Sequence, residues 1–403
     1  MKRTSGETIL CLNSGSSSLK FALYDVRGTG GAEEEIVRGG IEGIGGREAQ
    51  LWLRSGRGEP VADLSVQIPG HAEAVHYLFD TLQAQGSALP LPSAAGNRVV
   101  HGGPYFDRPV LIHRKVIETL KGLVPLAPLH LPSEIICIEA TQARFPGLPQ
   151  VACFDTAFHR SMPEVAQRFP LPRSLWEEGI RRYGFHGLSF EYVVSVLGEA
   201  AQGRVVIAHL GNGASMAAVR EGRCLETTMG FSPTGGFMMG TRSGDLDPGV
   251  LVYLMREKGY DAEKIAHLVD HEAGLLGVSG SSHEMKVLLE KRHVDPRAAQ
   301  AVEMFCYHLR KHLGALAALL GGVDTLVFTG RIGERAAPIR AEVCNGLEHL
   351  GIRIDPVLNE THAETISLPG SPCSVRVIPT SEELIIARQT YRVIAGTQAN
   401  PCA

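Results

Sequence analysis

The chain has 403 residues, of which 44% are hydrophobic, and a formal net charge of −4. This length allows two domains with separate cores, and the near balance of charge excludes bulk electrostatic binding to nucleic acid or an anionic membrane. Eight scattered cysteines form no CxxC pair, which favours buried free thiols over structural zinc or a disulfide framework. The sequence shows neither a signal-peptide core nor an apolar stretch of membrane-spanning length, so we expect a soluble, cytoplasmic protein.

The first predicted element is a β-hairpin. Two apolar runs, 9–12 and 21–24, flank the polar segment 13–18, Asn-Ser-Gly-Ser-Ser-Ser. Such a turn gathers backbone N–H groups, hydroxyls and the Lys20 ammonium, which are suitable donors for an oligophosphate. From this stretch alone, a phosphate-binding turn and an ordinary polar hairpin loop are both open.

Further strands and helices are predicted along the first half. Ser133 is placed to cap a helix, and the strand that ends near Asp155 presents a carboxylate at its carboxyl end. In order, we expect turns over 28–46, strands over 51–53 and 61–68, a helix over 71–85, a loop over 86–96, a strand and glycine turn over 98–103, a helix from 116, a proline-rich break over 125–132, a helix over 134–144 and a strand over 150–155.

The second half repeats the opening hairpin. Residues 205–220 align with it without gaps, and Gly15 falls on Gly211. This repeat predicts a duplicated domain with a cleft between the halves, where two turns would hold a nucleotide. The other predicted elements are a helix over 189–197, a helix over 300–320 whose histidines serve the core or an interface, a strand over 325–329 with a glycine turn over 330–334, a strand over 374–380 and a helix from 381 to about 392.

Candidate reactive residues lie near the glycine turns. Neither GxxxxGK[ST] nor GxGxxG is present, so phosphate binding falls to the hairpins and glycine turns. Arg98 and Arg242 suit phosphoryl transfer because a guanidinium binds two oxygens and keeps its charge, although a surface ion pair would explain each equally well. Asp155 and Glu382 can reach Mg²⁺ directly or through water, with helix capping as the alternative for Glu382. His186 suits either a hydrogen bond to a transferring phosphoryl group or a buried structural position.

The chain resembles the acetate kinase family in motifs that follow the family's order and span nearly the whole sequence. They are 13–20 (NSGSSSLK), 98–103 (RVVHGG), 125–130 (PLAPLH), 154–159 (FDTAFH), 182–187 (RYGFHG), 209–213 (HLGNG), 239–245 (MGTRSGD) and 380–384 (TSEEL). The resemblance implies an α/β architecture with the duplicated actin/hexokinase/Hsp70-like (ribonuclease H-like) fold. It places residues 1–156 and 383–403 in an N-terminal domain, and residues 157–382 in a C-terminal domain that carries nucleotide-binding segments and a dimer interface.

The implied activity is reversible phosphoryl transfer between ATP and acetate, which gives acetyl phosphate and ADP in a homodimer with Mg²⁺, or Mn²⁺ in its place. Matching positions imply catalytic roles for Asp155, Arg98, His186 and Arg242, and metal binding by Asn13 and Glu382. The implied substrate pocket is Arg98, Val100, Leu129, His130, Phe185 and Pro233. The implied nucleotide contacts are Ser18, Lys20, His209, Leu210, Gly211, Asn212, Gly213, Glu284, Met285, Lys286, Gly330, Arg331, Ile332, Gly333 and Glu334.

Some positions depart from the family pattern. Asn97 replaces a histidine before the Arg98 motif, and Arg331 stands where a glycine is usual. Glu284, Lys286 and Arg335 also differ, so ATP, another nucleotide and pyrophosphate are all open as phosphoryl donor. Two other functions are open as well, a propionate kinase and a nucleotide-binding regulator without turnover. We expect direct in-line transfer, because a carboxylate needs no strong base, although a phosphorylated enzyme intermediate is not excluded by the residues.

Overall fold

The structure, a computed structural model, describes residues 7–26, 33–84 and 89–399. The strands are β1 (Thr8–Ser14), β2 (Ser18–Asp25), β3 (Glu34–Glu42), β4 (Ala49–Ser55), β5 (Pro60–Val66), β6 (Ala94–Val99), β7 (Val110–Leu111), β8 (Gln150–Phe154), β9 (Val205–Leu210), β10 (Ala214–Arg220), β11 (Arg223–Thr227), β12 (Thr325–Thr329) and β13 (Ser374–Val377).

The helices follow the same order along the chain. They are α1 (His71–Ala84), α2 (Arg114–Leu123), α3 (Leu131–Arg144), α4 (Glu164–Gln167), α5 (Arg173–Glu177), α6 (Gly187–Leu197), α7 (Pro248–Lys258), α8 (Ala262–His267), α9 (Gly274–Ser279), α10 (Met285–Lys291), α11 (Pro296–Leu320), α12 (Gly330–Arg335), α13 (Ala337–Cys344), α14 (Pro356–Glu360) and α15 (Glu382–Ala399). No helix among the described residues is long and apolar enough to cross a bilayer.

The chain divides into two compact units. The first unit is Met1–Ala157 with Ser381–Ala403, and the second is Phe158–Thr380. These boundaries lie within two residues of the expected domain limits, and they assign Ser381 and Glu382 to the first unit.

The first unit contains a sheet in the order β5-β4-β3-β2-β1-β6-β8-β7. β1, β2 and β3 pair antiparallel, while β6 runs parallel to β1 and β8 parallel to β6. α15 returns at the end of the chain to pack on this sheet, where a Cβ at Gly96 would lie only 2.2 Å from Thr390 Oγ1. Glycine at this position therefore permits the close approach of β6 and α15, which carries Glu382 to the same sheet.

The second unit repeats this arrangement with fewer strands. Its sheet has the order β11-β10-β9-β12-β13, in which β9 pairs antiparallel with β10 and parallel with β12. The order β3-β2-β1-β6-β8 in the first unit has the same directions. Both hairpins turn over three residues, 15–17 and 211–213, so Gly15 corresponds to Gly211 as the alignment predicts. The duplicated α/β fold is confirmed.

Some local predictions are wrong. The segment 34–42, expected as turns, is β3, because Val37 and Ile41 alternate into the core despite the glycines; residues 27–32 lie outside the described part of the chain. α3 begins at Leu131, so Ser133 is not its cap, and its hydroxyl donates to the His130 carbonyl at 2.8 Å. The expected turn at 330–334 is the helix α12. The last residue of the helix expected over 71–85 and the first three residues of the loop expected over 86–96 also lie outside the described residues.

Two other predicted elements have wrong ends. β6 begins at Ala94, inside the loop expected over 86–96, because residues 94–97 pair with β1, and the last strand, β13, ends at Val377 rather than at 380. The predicted strands at 51–53 and 61–68 are β4 and β5, and the predicted helix at 300–320 is α11, which Asp295 caps by accepting from Arg297 N. The described cysteines are free and buried, as their apolar sequence surroundings indicate.

Candidate active site

In the first unit, a polar cluster forms around Arg98 where two parallel strands end. β6 leads into Arg98 and β8 into Asp155, which places both side chains at carboxyl ends of neighbouring strands. Arg98 Nη2 and Nε donate to Asp155 Oδ2 at 2.5 and 3.1 Å. The Arg98 side chain is only 15% exposed and that of Asp155 is fully buried, so the pair is not an ordinary surface ion pair.

The same cluster contains Asn13 and Glu382, which are remote from Arg98 in sequence. Arg98 Nη1 donates to Asn13 Oδ1 at 3.2 Å, and Asn13 Nδ2 donates to Glu382 Oε2 at 3.3 Å. Glu382 Oε2 also lies 3.8 Å from Arg98 Nε. Glu382 is the first residue of α15 and its carboxylate is engaged by these two side chains, which accounts for it without a capping role.

The electrostatics of this cluster are dominated by burial and by one cation. Burial alone would lower the pKa of Arg98, but Asp155, Glu382 and Glu134 raise it above its ordinary value. Burial raises the pKa of Glu382, against the opposing effect of Arg98. Burial also raises the pKa of Glu134 to about 8, although its Oε2 accepts from Val100 N at 3.0 Å. Two carboxylates, Asp155 and Glu382, thus lie within 4 Å of one guanidinium.

This carboxylate excess fits a divalent cation. Asn13, Asp155 and Glu382 offer oxygen donors, which Mg²⁺ prefers. Among residues 7–26, 33–84 and 89–399, no three His, Cys, Asp or Glu side chains are arranged to hold a metal by themselves. Mg²⁺ commonly binds through one or two side chains together with water and substrate phosphate oxygens, and this donor set suits that mode.

The turn of the first hairpin carries the predicted phosphate contacts of this unit. Gly15 N donates to Ser18 O at 2.8 Å, and His71 Nε2 lies 2.8 Å from Gly15 O, so the turn is held on both sides. Lys20 is exposed and pairs with Asn13 across the two strands. The hairpin therefore brings an ammonium beside the Arg98 cluster.

The residues predicted to bind the acyl group differ in how exposed they are, and they do not all belong to the same unit. Val100, directly after β6, is buried, whereas Leu129 is 41% exposed and His130 precedes α3. Phe185 is buried and Pro233 half-buried, and both belong to the second unit.

In the second unit, His186 occupies a left-handed backbone conformation, with φ 61°, immediately before α6. Such a conformation is strained for a residue other than glycine, and it is frequent at functional sites. His186 Nδ1 lies 2.8 Å from Ser215 Oγ, and the imidazole stacks on His209 with 4.2 Å between ring centroids. Three elements, α6, β9 and β10, therefore orient one half-buried imidazole.

Arg242 lies close to the second hairpin turn. A Cβ built on Gly213 would be 3.3 Å from Arg242 Nη1 and 3.4 Å from His186 Nε2, so both side chains border this glycine. Arg242 Nη1 donates to Pro233 O at 3.4 Å, a neutral and long contact. Gly240 N donates to Asn212 O at 3.0 Å, which fastens the segment before Arg242 to the same turn.

The other predicted nucleotide-contacting residues are distributed over three segments of this unit. Leu210 is fully buried in β9, while Asn212 is exposed at the turn. Gly330 has φ +74° and its Cβ position lies 2.8 Å from Leu210 O, so glycine is needed where α12 meets β9. On α12, Arg331 is exposed, Ile332 and Glu334 are half-buried and Gly333 is buried; at α10, Glu284 and Lys286 are exposed and Met285 is buried.

Several polar residues of these clusters were not found from the sequence. Glu134, Ser189, Ser215 and Thr380 make hydrogen bonds within the two clusters. Thr380 lies in the motif 380–384 and Ser215 in the repeat 205–220, but neither segment indicates that these particular side chains are used. Another polar residue, Asn97, donates to Gln150 Oε1 at 3.1 Å in the buried interior of the sheet, so this departure from the family pattern serves strand packing.

Comparison with known proteins gives a consistent result. The model of the acetokinase family matches residues 8–388. The acetate kinase of Rhodopseudomonas palustris is 47% identical over 397 residues, which cover 97% of this chain and 99% of that protein. The crystal structure of Porphyromonas gingivalis acetate kinase matches with a TM-score of 0.86 at 38% identity, and that of a Francisella tularensis propionate kinase with 0.90 at 35%; each match covers 96% of this chain and 100% of the other.

Proposed function

The chain belongs to the acetokinase family, and we propose that it catalyses reversible phosphoryl transfer between ATP and acetate, giving acetyl phosphate and ADP. The observation that carries the proposal is the Arg98 cluster, in which a largely buried guanidinium is fixed at a strand end by Asp155 and Asn13. A carboxylate substrate and a phosphoryl group are both anionic and planar or nearly so, and a fixed guanidinium suits each.

We assign the transfer to a direct in-line path. The acetate oxygen is already a nucleophile, so the enzyme needs to position it and to neutralise charge on the moving phosphoryl group. Arg98 would bind the carboxylate and the phosphoryl group, while Arg242 and His186 would donate hydrogen bonds to the transition state. Asp155 holds Arg98 in place. By the family resemblance, Val100, Leu129, His130, Phe185 and Pro233 are the residues assigned to binding of the acyl group.

Mg²⁺ would supply charge neutralisation on the nucleotide phosphates when bound. Asn13 and Glu382, with Asp155, would hold it directly or through water. This assignment is supported by the excess of carboxylates around Arg98. Mn²⁺ has similar ligand preferences and would substitute.

The nucleotide would contact several separate segments of the chain. Ser18 and Lys20 would contact phosphates, as would the turn 209–213. Residues 284–286 and 330–334 would contact the remainder of the nucleotide. Arg331 is exposed on α12 and would add positive charge at this segment. Replacing Arg331 with glycine, followed by measurement of KM for ATP, GTP and pyrophosphate, tests whether this residue sets donor choice.

We also propose a cytoplasmic homodimer. α7 has no buried residue among its eleven, and Val250, Val252, Tyr253 and Met255 are 43–55% exposed. A helix with apolar side chains on several sides is normally covered. A Tyr253→Glu variant should elute as a monomer in size-exclusion chromatography with light scattering, whereas an unchanged mass would place the interface elsewhere.

Hydroxylamine trapping tests the activity. The protein is incubated with Mg-ATP and acetate, propionate or butyrate, and the acyl phosphate is captured as hydroxamate. We expect acetate to give the highest kcat/KM. A preference for propionate would identify a propionate kinase, since one methylene changes discrimination by about 1–3 kcal/mol. No hydroxamate from any acid, with ATP or pyrophosphate, would leave a nucleotide-binding regulator and overturn the proposal.

A further inference from the structure

A chain of hydrogen bonds in the second unit links the nucleotide segment to the stacked histidines. Thr380 N donates to Glu334 Oε1 at 3.2 Å, and Thr380 Oγ1 donates to Ser189 Oγ at 2.8 Å. Ser189 Oγ lies 2.8 Å from His209 Nδ1, and the ring of His209 stacks on that of His186. Ser189 is fully buried and His209 is 9% exposed, so the contact between Ser189 and His209 is shielded from water.

The Thr380–Ser189 bond favours one tautomer of His209. A hydroxyl has one proton to donate. The proton of Thr380 is directed at Ser189, which leaves the proton of Ser189 available for His209 Nδ1. In the arrangement in which Ser189 donates, Nδ1 carries no proton and His209 is a neutral imidazole protonated at Nε2.

The local fold explains why these residues meet. His186 and Ser189 are three residues apart at the start of α6, one turn on the same face. His209 on β9 pairs directly with Ser215 on β10, so the stacking partner of His186 and its hydrogen-bond partner are neighbours in the sheet. The ring face of His186 therefore contacts His209 on β9, and its Nδ1 contacts Ser215 on β10.

We propose that Ser189 and Thr380 are positioning residues for phosphoryl transfer. They keep His209 neutral and fixed in orientation, so that His186 stacks on an uncharged platform, and Thr380 ties this platform to Glu334 on α12. A neutral His209 avoids like-charge repulsion with His186 when His186 carries the proton that it donates to the phosphoryl group. The proposal rests on the proposed kinase function for the role of His186.

Isosteric substitution at Thr380 tests the first link. Thr380→Val keeps the shape and removes the hydroxyl, whereas Thr380→Ser keeps the hydroxyl. We expect Thr380→Val to lower kcat by about 10-fold, the value of one hydrogen bond, with KM for acetate unchanged, and Thr380→Ser to stay near the wild type. Thr361→Val, whose hydroxyl bonds only within α14 in the described contacts, is the matched control. Equal losses in the Val and Ser variants would overturn the proposal.

A double-mutant cycle separates positioning from a general packing effect. In a His209→Gln background, the hydrogen bonds from Thr380 through Ser189 have no imidazole to orient. Thr380→Val should therefore cause no further loss of kcat in that background. Ser189→Ala should behave in the same way, with Ser195→Ala on the exposed part of α6 as its control. If Thr380→Val lowers kcat by the same factor in both backgrounds, Thr380 does not act through His209 and the proposal is wrong.

Nuclear magnetic resonance of ¹⁵N-histidine-labelled protein gives a readout that needs no turnover. The His209 signals are assigned by their loss in His209→Gln. We expect an unprotonated Nδ1 and a protonated Nε2 in the wild type, and a changed Nδ1 shift in Thr380→Val. A protonated Nδ1 in the wild type would overturn the proposal, even if hydroxamate assays support the kinase. If the wild type shows an unprotonated His209 Nδ1 but has no kinase activity, the proposed function is refuted, whereas the hydrogen-bonded arrangement of Thr380, Ser189 and His209 stands.

Discussion

The two units hold their polar groups in opposite ways. In the first unit, Arg98 lies among carboxylates and contacts Asp155 and Glu382. In the second unit, Arg340 is fully buried, and its five N–H groups donate to neutral acceptors, which are the carbonyls of Gly333, Glu334 and Asn359, the Asn359 amide oxygen and His362 Nδ1. Arg242 and His186 likewise contact a carbonyl and a hydroxyl.

An arginine can be held firmly by either kind of acceptor, but only carboxylates also cancel its charge. Carboxylates fix Arg98 firmly and cancel much of its field, so its removal leaves buried negative charges uncompensated. Neutral acceptors fix Arg340 without cancelling its charge. Loss of Arg98 should therefore lower both activity and stability, because it leaves buried carboxylates without their cation.

The largest effect is expected for Arg98→Met. Loss of this guanidinium should lower kcat by about 10³-fold and the free energy of unfolding by about 3 kcal/mol, because Asp155 and Glu382 lose their cation. Coupled assays and urea unfolding measure the two quantities. Arg114→Met, which removes only an exposed ion pair with Glu118, should change neither. An Arg98→Met protein as stable as the wild type would show that Arg98 does not stabilise the fold by neutralising Asp155 and Glu382.

Arg242→Ala should lower kcat by about 10²-fold and leave the midpoint of urea unfolding nearly unchanged. The hydrogen bond that Arg242 donates to the Pro233 carbonyl is long, at 3.4 Å, and such a contact contributes little to stability. The same two measurements apply. A large loss of stability would show that Arg242 is structural, contrary to the proposed role.

Arg340→Met tests what is lost when a buried arginine with neutral acceptors is removed from the second unit. The substitution removes five satisfied donors and should cost about 3 kcal/mol of stability. Because Arg340 holds the last carbonyls of α12, KM for ATP should rise several-fold while KM for acetate changes little. Arg292→Met, which breaks a half-exposed pair with Glu342, is the control. Equal rises in both KM values would indicate a general defect.

The smallest effect on activity is expected at His159, where burial lowers the pKa to about 4, against a hydrogen bond to the Phe185 carbonyl. A histidine whose pKa is lower folded than unfolded stabilises the fold above pH 6.5, and that stability is lost as pH falls towards 4. The wild type should lose on the order of 3 kcal/mol across this range. His159→Gln should be less stable than the wild type at pH 7, and its stability should depend less on pH. His113→Gln, at an exposed position, is the matched control for the substitution itself.

Much of the fold was predictable because its patterns are local. The hairpins at 8–25 and 205–220 have apolar runs on either side of a three-residue polar turn, and their repetition indicates the duplication. β3 was missed because its glycines resemble turn signals, whereas tertiary pairing with β2 and β4 overrides that preference. The predicted start of α3, at residue 134, is three residues late, because Pro132 is tolerated in a first helical turn.

The sequence by itself pointed to the groups of the proposed reaction, since Asn13, Arg98, Asp155, His186 and Arg242 lie in motifs with glycine and strand signals. Tertiary structure alone decided how these groups are held. Glu382 reaches Arg98 because α15 returns to the first sheet. Ser189 bonds His209 across 20 residues of sequence, and Thr380 bonds Ser189 across 191. Hydrogen bonds depend on position in space, and no periodicity or local spacing records contacts between such distant segments.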